Sequence, residues 1–119
     1  MTRKEALGAL RDAVQDGSAQ GQILNLAKAA FASEMEEYGP VDWWALYASY
    51  GLLDTALALH EAMLPGWAWE LGSLSGSATV YPPKYPGEDF DATAYSAEHK
   101  TASHAWLLAI LEALIAEAD

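Results

Sequence analysis

A chain of 119 residues in which 52% of the side chains are hydrophobic suits one domain with a core, which excludes a disordered protein. Because it has no cysteine, neither a disulfide framework nor a thiolate metal site can form. A net charge of -11 repels phosphate backbones, so direct nucleic-acid binding is not expected.

The negative charge is unevenly distributed along the chain. Residues 1–28 carry four basic and three acidic residues, whereas residues 29–119 carry two basic residues against fourteen acidic ones. No Lys or Arg lies between Lys28 and Lys84. Such a surface would steer the protein toward a basic partner, although the acids could also act only to keep it soluble.

No segment indicates secretion or membrane insertion. The first residues are not followed by the uninterrupted apolar stretch of a signal peptide. The longest apolar run, from Trp106 to Ile115, is too short to span a bilayer. We therefore expect a cytoplasmic protein with no membrane partner.

The N-terminal part of the chain predicts two helices. Thr2 and Glu5 fit a capping box at the start of the first helix, and Gly17 is a suitable stop. A second helix is predicted from Ala19 to Tyr38, where a Gly-Pro pair ends it.

A third helical segment follows, with Asp42 as its predicted N-cap. Apolar residues continue at helical spacing as far as Pro65. Gly51 interrupts the pattern, so the segment forms either one helix with an interruption or two abutting helices.

Beyond Pro65 the apolar period changes from helical to alternating. This alternation predicts short strands at Trp67–Leu71, Ala78–Tyr81 and Phe90–Tyr95. The short links between them favour antiparallel pairing.

The last helix begins most clearly at Thr101, with Ser96–Lys100 as an earlier helical turn or a linker. Its apolar residues cover most of its circumference, so other elements must pack on most of its sides. The predicted fold class is α+β: a small three-stranded antiparallel meander sheet packed by a long C-terminal helix, with an N-terminal helical section. Residues 1–119 form one domain, with residues 1–50 as the helical section and residues 51–119 as helix, short sheet and closing helix.

Several segments of the C-terminal half combine a particular spacing with aromatic residues. They are Leu53–His60, Leu64–Trp69, Ala78–Pro82, Phe90–Ala94 and Thr101–Leu111. In these segments the chain resembles a group of uncharacterised bacteriophage proteins that carry a phage ABA sandwich domain. The Ser96–Lys100 insert departs from that group, in which the strand passes directly to the helix cap.

The resemblance implies a phage or prophage origin and makes an accessory or counter-defence role the expected one. Because the group has no established activity, it assigns no site to this chain.

No motif indicates catalysis. His60, Glu61 and His104 could form a composite zinc site. His99 and His104 are five residues apart, so we expect them on different helix faces, unlike the i, i+4 pair of a helical zinc site. The carboxylate pairs Glu36-Glu37 and Glu88-Asp89 lack the cleft that acid–base catalysis requires. We therefore predict that the protein is not an enzyme and uses no metal and no cofactor.

The aromatic and acidic residues are the better lead to a function. Trp67, Trp69 and Trp106 are expected to pack between sheet and helix. Trp43, Tyr50 and Tyr85 are less easily buried. Together with nearby acids they predict an acidic-aromatic surface for binding a partner. The predicted partner-binding residues are Glu34, Glu36, Glu37, Asp42, Trp43, Glu88, Asp89 and Asp91.

The predicted function is that of a small acidic phage or prophage accessory protein in the cytoplasm of a host cell. It would bind a host protein with a basic surface, and in the sharpest form inhibit a defence or nucleic-acid-binding protein. The alternatives are a protein that sequesters a small molecule or nucleotide signal, and a homo-oligomer formed through exposed aromatic residues.

Overall fold

In the computed structural model, which describes residues 2–72, 76–83 and 94–118, helices and a short antiparallel sheet pack around one central helix. The helices are α1 (Arg3–Asp16), α2 (Gln20–Ala30), α3 (Ala32–Tyr38), α4 (Val41–Ala48), α5 (Leu53–Met63) and α6 (Ala102–Glu117). The strands are β1 (Ala68–Leu71), β2 (Ser77–Tyr81) and β3 (Tyr95–Glu98). This architecture confirms the predicted α+β class.

Helix α6 lies at the centre of the core. Every residue from Ser103 to Leu111 is buried, so no side of this stretch faces solvent. The helix packs against β2, β3, α1, α4 and α5, which confirms that it is covered on most sides. Within the part of the chain that the structure describes, no helix is long and apolar enough to cross a membrane.

The sheet has the order β1-β2-β3, and both neighbouring pairs are antiparallel. Val80 is paired with Trp69 on one side and with Tyr95 on the other, so these three side chains share the face that packs on α6. The opposite face is polar: the hydroxyls of Thr79 and Ser96 are hydrogen-bonded at 2.8 Å. Because one face of the sheet packs in the core and the other is polar, apolar and polar residues alternate along the strands.

The first turn of α6 is polar although it is buried. The side chain of Thr101 caps the helix by accepting a hydrogen bond from the backbone N–H of His104 at 3.1 Å, as predicted. The hydroxyl of Ser103 donates to the carbonyl of Ala48 at the end of α4. The carbonyls at helix ends have no partner within their own helix, and α6 supplies one here.

Helix α1 follows its sequence prediction closely. Thr2 and Glu5 form the capping box, with a hydrogen bond of 3.1 Å from the backbone N–H of Glu5 to the hydroxyl of Thr2. Gly17 ends the helix with a φ of 73°, a left-handed conformation that glycine adopts without strain.

The predicted single helix from Ala19 to Tyr38 is wrong in one respect. It is divided at Phe31, which leaves the helical conformation at φ -112° and ψ 23°. The side chain of Phe31 is fully buried in the core. The core packing of one large side chain therefore outweighs the helix propensity of its neighbours.

The third helical segment consists of two helices, α4 and α5, which was one of the two predicted forms. Gly51 lies between them with a φ of 94°. Asp42 is not the N-cap of α4, because Pro40 occupies that position and the helix begins at Val41. Asp42 lies instead in the first turn.

The third strand lies further along the chain than predicted. Residues 90–93 of the predicted strand Phe90–Tyr95 lie outside the described residues, and β3 extends from Tyr95 to Glu98. The prediction of Ser96–Lys100 as a helical turn or linker was therefore wrong over its first half. The side chains of Tyr95 and Ala97 alternate with Ser96 and Glu98, which is the pattern of a half-buried strand.

We expect Leu107→Ala to lower the free energy of unfolding by about 2–5 kcal/mol, because the Leu107 side chain is fully buried in the central helix. Urea denaturation followed by circular dichroism measures the change. Glu117→Ala, at the exposed end of the same helix, is the control and should change it by less than about 0.5 kcal/mol. A loss below about 1 kcal/mol for Leu107→Ala would contradict the central position of α6.

Candidate partner-binding surface

Exposed large side chains gather along α4 and at its two ends. We call this group the aromatic face, and its members are between 39% and 51% exposed. They are Tyr38, Trp43, Tyr47, Tyr50, Leu52 and Leu53. Such a group in a monomeric chain is typical of a surface that binds another molecule.

The aromatic face lies on the side of α4 that is turned away from its buried residues. Val41, Ala45 and Ala48 are fully buried on the inner side of the helix. Trp43 and Tyr47 are four residues apart, so they lie on one outer side and their rings meet. The ring centroids are 5.7 Å apart, and the ring planes are inclined by 33°.

Two of the predicted acids, Glu36 and Glu37, are exposed in the last turn of α3, next to the aromatic face. Neither forms an ion pair with any of the described residues. The carbonyl end of a helix is itself negative, so it adds to the potential of the two carboxylates. These acids are therefore available to a partner.

Glu34 has a different role. It lies in the first turn of α3, and its Oε1 is 2.6 Å from Nη2 of Arg3 on α1. Its side chain is only 16% exposed. This carboxylate joins α1 to α3. The single helix predicted from Ala19 to Tyr38 would place Glu34 in its last turn with Glu36 and Glu37, and that placement was wrong.

Asp42 is also placed away from the surface. It is 4% exposed, and it lies where the positive end of the α4 dipole favours a carboxylate. Of the remaining predicted residues, Trp43 is on the aromatic face, whereas Glu88, Asp89 and Asp91 lie outside the described residues.

Sequence reasoning missed several members of this surface. Tyr38, Tyr47, Leu52 and Leu53 were not assigned to it, and neither was the exposed acid Asp54 in the first turn of α5. A usable signal was present, since Leu52 and Leu53 follow Gly51, where a break between helices leaves side chains uncovered.

Trp67, just before β1, and Trp69, on β1, pack against different aromatic partners. Trp69 lies on Trp106 with ring centroids 4.5 Å apart, and Trp67 lies near Tyr95 at 6.2 Å. The expected packing between sheet and helix is thus seen for Trp69 and Trp106.

His60 is a buried structural residue. The indole N–H of Trp106 donates to Nδ1 of His60 at 3.1 Å, so Nδ1 carries no proton. The N–H at Nε2 then donates to the carbonyl of Trp67 at 3.0 Å. Both ring nitrogens are occupied, and burial lowers the pKa of His60.

His99 and His104 close the end of α1. His99 precedes α6, so the expectation that these histidines lie on different helix faces was wrong, and their rings are stacked with centroids 3.6 Å apart. Their Nε2 atoms donate to the carbonyls of Gln15 and Val14 at 3.1 and 3.0 Å. Burial is the main cause that lowers the pKa of His104. Among residues 2–72, 76–83 and 94–118, no group of His, Asp and Glu side chains could hold a metal ion, and the structure does not bring His60 and His104 into one.

Within the described residues, two open clefts could admit a small ligand. One has a volume of about 310 Å³ and lies beside β3, with Glu98 and Glu112 in its lining. The other, about 290 Å³, lies at the start of α6 and is lined by Tyr50, Lys100 and His104 among others. Both are at the small end of the range for ligand pockets, roughly 300–1,000 Å³.

No protein-family model matches the chain, and no similar curated protein or solved structure was found. The resemblance to phage ABA sandwich proteins therefore stays a prediction. The candidate surface is identified from the geometry of this chain alone.

We expect the stabilising effect of His60 to depend on pH. The unfolded chain protonates this imidazole near pH 6.5, above the lowered pKa of the folded state. Its contribution is complete above about pH 6.5 and is lost as the pH falls through the folded pKa. The difference in unfolding free energy between wild type and His60→Gln should therefore shrink from neutral to mildly acidic pH.

Urea denaturation of both proteins at several pH values tests this, since their carboxylates titrate alike and cancel in the difference. The imidazole resonance of His60, followed by NMR, should titrate below its usual midpoint. A difference that stays constant, or a midpoint at or above the usual value, would contradict the buried neutral imidazole.

Proposed function

We propose that this chain binds a protein with a basic surface and makes the contact through the aromatic face together with Glu36 and Glu37. The observation that carries the proposal is the position of these two exposed carboxylates beside exposed aromatic rings on a stretch that has no Lys or Arg.

The two parts of this surface have different roles in binding. Trp and Tyr are the residues most often found at the energetic centre of protein interfaces, because a partner that covers them desolvates a large area. Carboxylates at the edge speed association with a cationic partner and select against other partners. Trp43 and Tyr47 would supply the affinity, and Glu36 and Glu37 the orientation.

Charge favours a basic partner over a second copy of the chain. Residues 29–72, which carry the aromatic face and its acids, contain no Lys or Arg to pair with the acids of a facing copy, and Lys100 lies near Tyr50 at one end of the face. A homodimer through this face would bring like charges together, which is costly. Self-association is therefore the less favoured occupant of the surface.

In its sharpest form, the proposal is that the chain inhibits a host nucleic-acid-binding or defence protein. Its carboxylates would occupy a basic groove that otherwise holds phosphates. The excess of acids after residue 28 supports this form, and the predicted phage resemblance is consistent with it. The proposal assigns no catalytic residue.

A small-molecule ligand is the second candidate. The cleft at the start of α6 brings the ring of Tyr50 near Lys100, so an aromatic ligand with one negative group would find a partner for each part. Native mass spectrometry of the purified protein tests this: a bound small molecule would favour it, and protein mass alone would count against it.

The charge reversal Glu36→Lys/Glu37→Lys should weaken partner binding at least tenfold, because it removes two attractive charges and adds two repulsive ones. The matched control is Glu70→Lys/Glu117→Lys, which changes the net charge by the same amount at two exposed positions. Glu70 is on β1, and Glu117 is at the end of α6, about 20 Å along the helix from Thr101, which lines the same cleft as Tyr50.

The measurement is an affinity pull-down from host lysate with tagged wild type and both variants, washed at low and high salt, followed by binding curves with the purified partner. A basic protein retained by wild type and control, lost by the charge reversal and released by salt supports the proposal. Equal retention by all three proteins, or no basic protein on wild type, would overturn it. For the inhibitor form, the chain must also displace nucleic acid from that partner.

A further inference from the structure

The ring pair of Trp43 and Tyr47 has the geometry of a single platform. Centroids 5.7 Å apart leave too little room for another planar group between the rings, which would need about 7 Å, twice a van der Waals contact. The ring planes are inclined by only 33°, so the two rings form one continuous aromatic patch on which a planar group can stack. With 42% and 39% of their surface exposed, both rings are accessible.

The surroundings of the platform favour a cation over it. The face of an aromatic ring is the negative part of its quadrupole, which attracts cations within about 6 Å of the centroid. The exposed carboxylates of Glu36 and Glu37 end the preceding helix, and Asp54 is exposed at the start of the following one. No Lys or Arg of residues 29–72 can occupy the platform from within the chain.

We infer that the Trp43–Tyr47 platform binds an arginine side chain of the basic partner, with the guanidinium stacked over the two rings and its edge directed toward the neighbouring carboxylates. This inference rests on the proposed function and narrows the partner to one that presents an arginine on an exposed segment.

Arginine fits this platform better than lysine does. Its guanidinium is planar and weakly hydrated, so it can stack flat on a ring and still donate from its edge to a carboxylate. A lysine ammonium is a compact, strongly hydrated charge and would have to shed water to reach the rings. The platform should therefore bind a peptide with arginine more tightly than a peptide of equal charge with lysine.

Trp69 provides a matched control for Trp43. It is 44% exposed, nearly the same as Trp43. It lies on the sheet, however, where it packs against Trp106 with ring centroids 4.5 Å apart. Its loss removes an exposed tryptophan without changing the platform.

The test uses short fluorescent peptides in which arginine, lysine or uncharged citrulline alternates with glycine and serine, and measures anisotropy with the full chain at low salt. We expect the arginine peptide to bind about two- to fivefold more tightly than the lysine peptide, and the citrulline peptide not to bind measurably. Trp43→Leu should weaken binding of the arginine peptide by about two- to fivefold and remove its advantage over lysine. Trp43→Phe should keep part of that advantage, and Trp69→Leu should leave it unchanged.

Equal binding of the arginine and lysine peptides by wild type, or an equal loss in Trp43→Leu and Trp69→Leu, would overturn the platform. If Glu36→Gln/Glu37→Gln still weakens both peptides in that case, the basic-partner proposal stands without the platform. If wild type binds neither cationic peptide at low salt, both the platform and the basic-partner proposal fail.

Discussion

The structure depends on the burial of one helix that has no polar side along most of its length. From Ser103 to Leu111 every residue of α6 is buried, so the helix cannot lie on a surface as an amphipathic helix would. The sheet covers one side, and α1, α4 and α5 cover others. The three strands alone would be marginally stable, because they have one apolar face that must be covered. Sheet and N-terminal helices therefore depend on the same central element.

A second constraint is that the last carbonyls of a helix have no hydrogen-bond donor within that helix and need one from elsewhere when they are buried. Polar side chains at the start of α6 supply these donors. Ser103 donates to Ala48 at the end of α4, while His104 donates to Val14 near the end of α1. His99, just before α6, donates to Gln15. These residues read in the sequence as unremarkable polar positions or candidate metal ligands, yet in the structure they bind helix ends together. Two of the three histidines thus close α1, and the third, His60, connects α5, the residue before β1 and α6.

The sequence predicted what depends on local patterns and missed what depends on tertiary packing. The capping residues Thr2 and Thr101 and the strand β2 follow from local chemistry and were found within a residue. The division at Phe31 was missed, because a helical period cannot show that one side chain is drawn into the core. The start of α3 at Ala32 then moved Glu34 from a last turn to a first turn, next to Arg3. For the same reason the burial of Asp42 and the exposure of Leu52 could not be inferred from composition, whereas the exposure of Trp43 could, since it is out of phase with the apolar side of α4.

Helix α4 gives the strongest physical reason to look for a partner at this surface. Its inner side is filled by Val41, Ala45, Leu46 and Ala48, so the packing of the core does not need Trp43 or Tyr47. Burying an aromatic side chain is worth roughly 1.5–3 kcal/mol relative to leaving it exposed, and these two gain only part of that within the chain. Exposed aromatic groups also favour self-association, which the neighbouring carboxylates oppose by repulsion between copies. The same carboxylates attract a cationic surface. The aromatic rings and acids together therefore disfavour self-association and favour a cationic partner. This combination distinguishes a selective binding surface from an incompletely covered core.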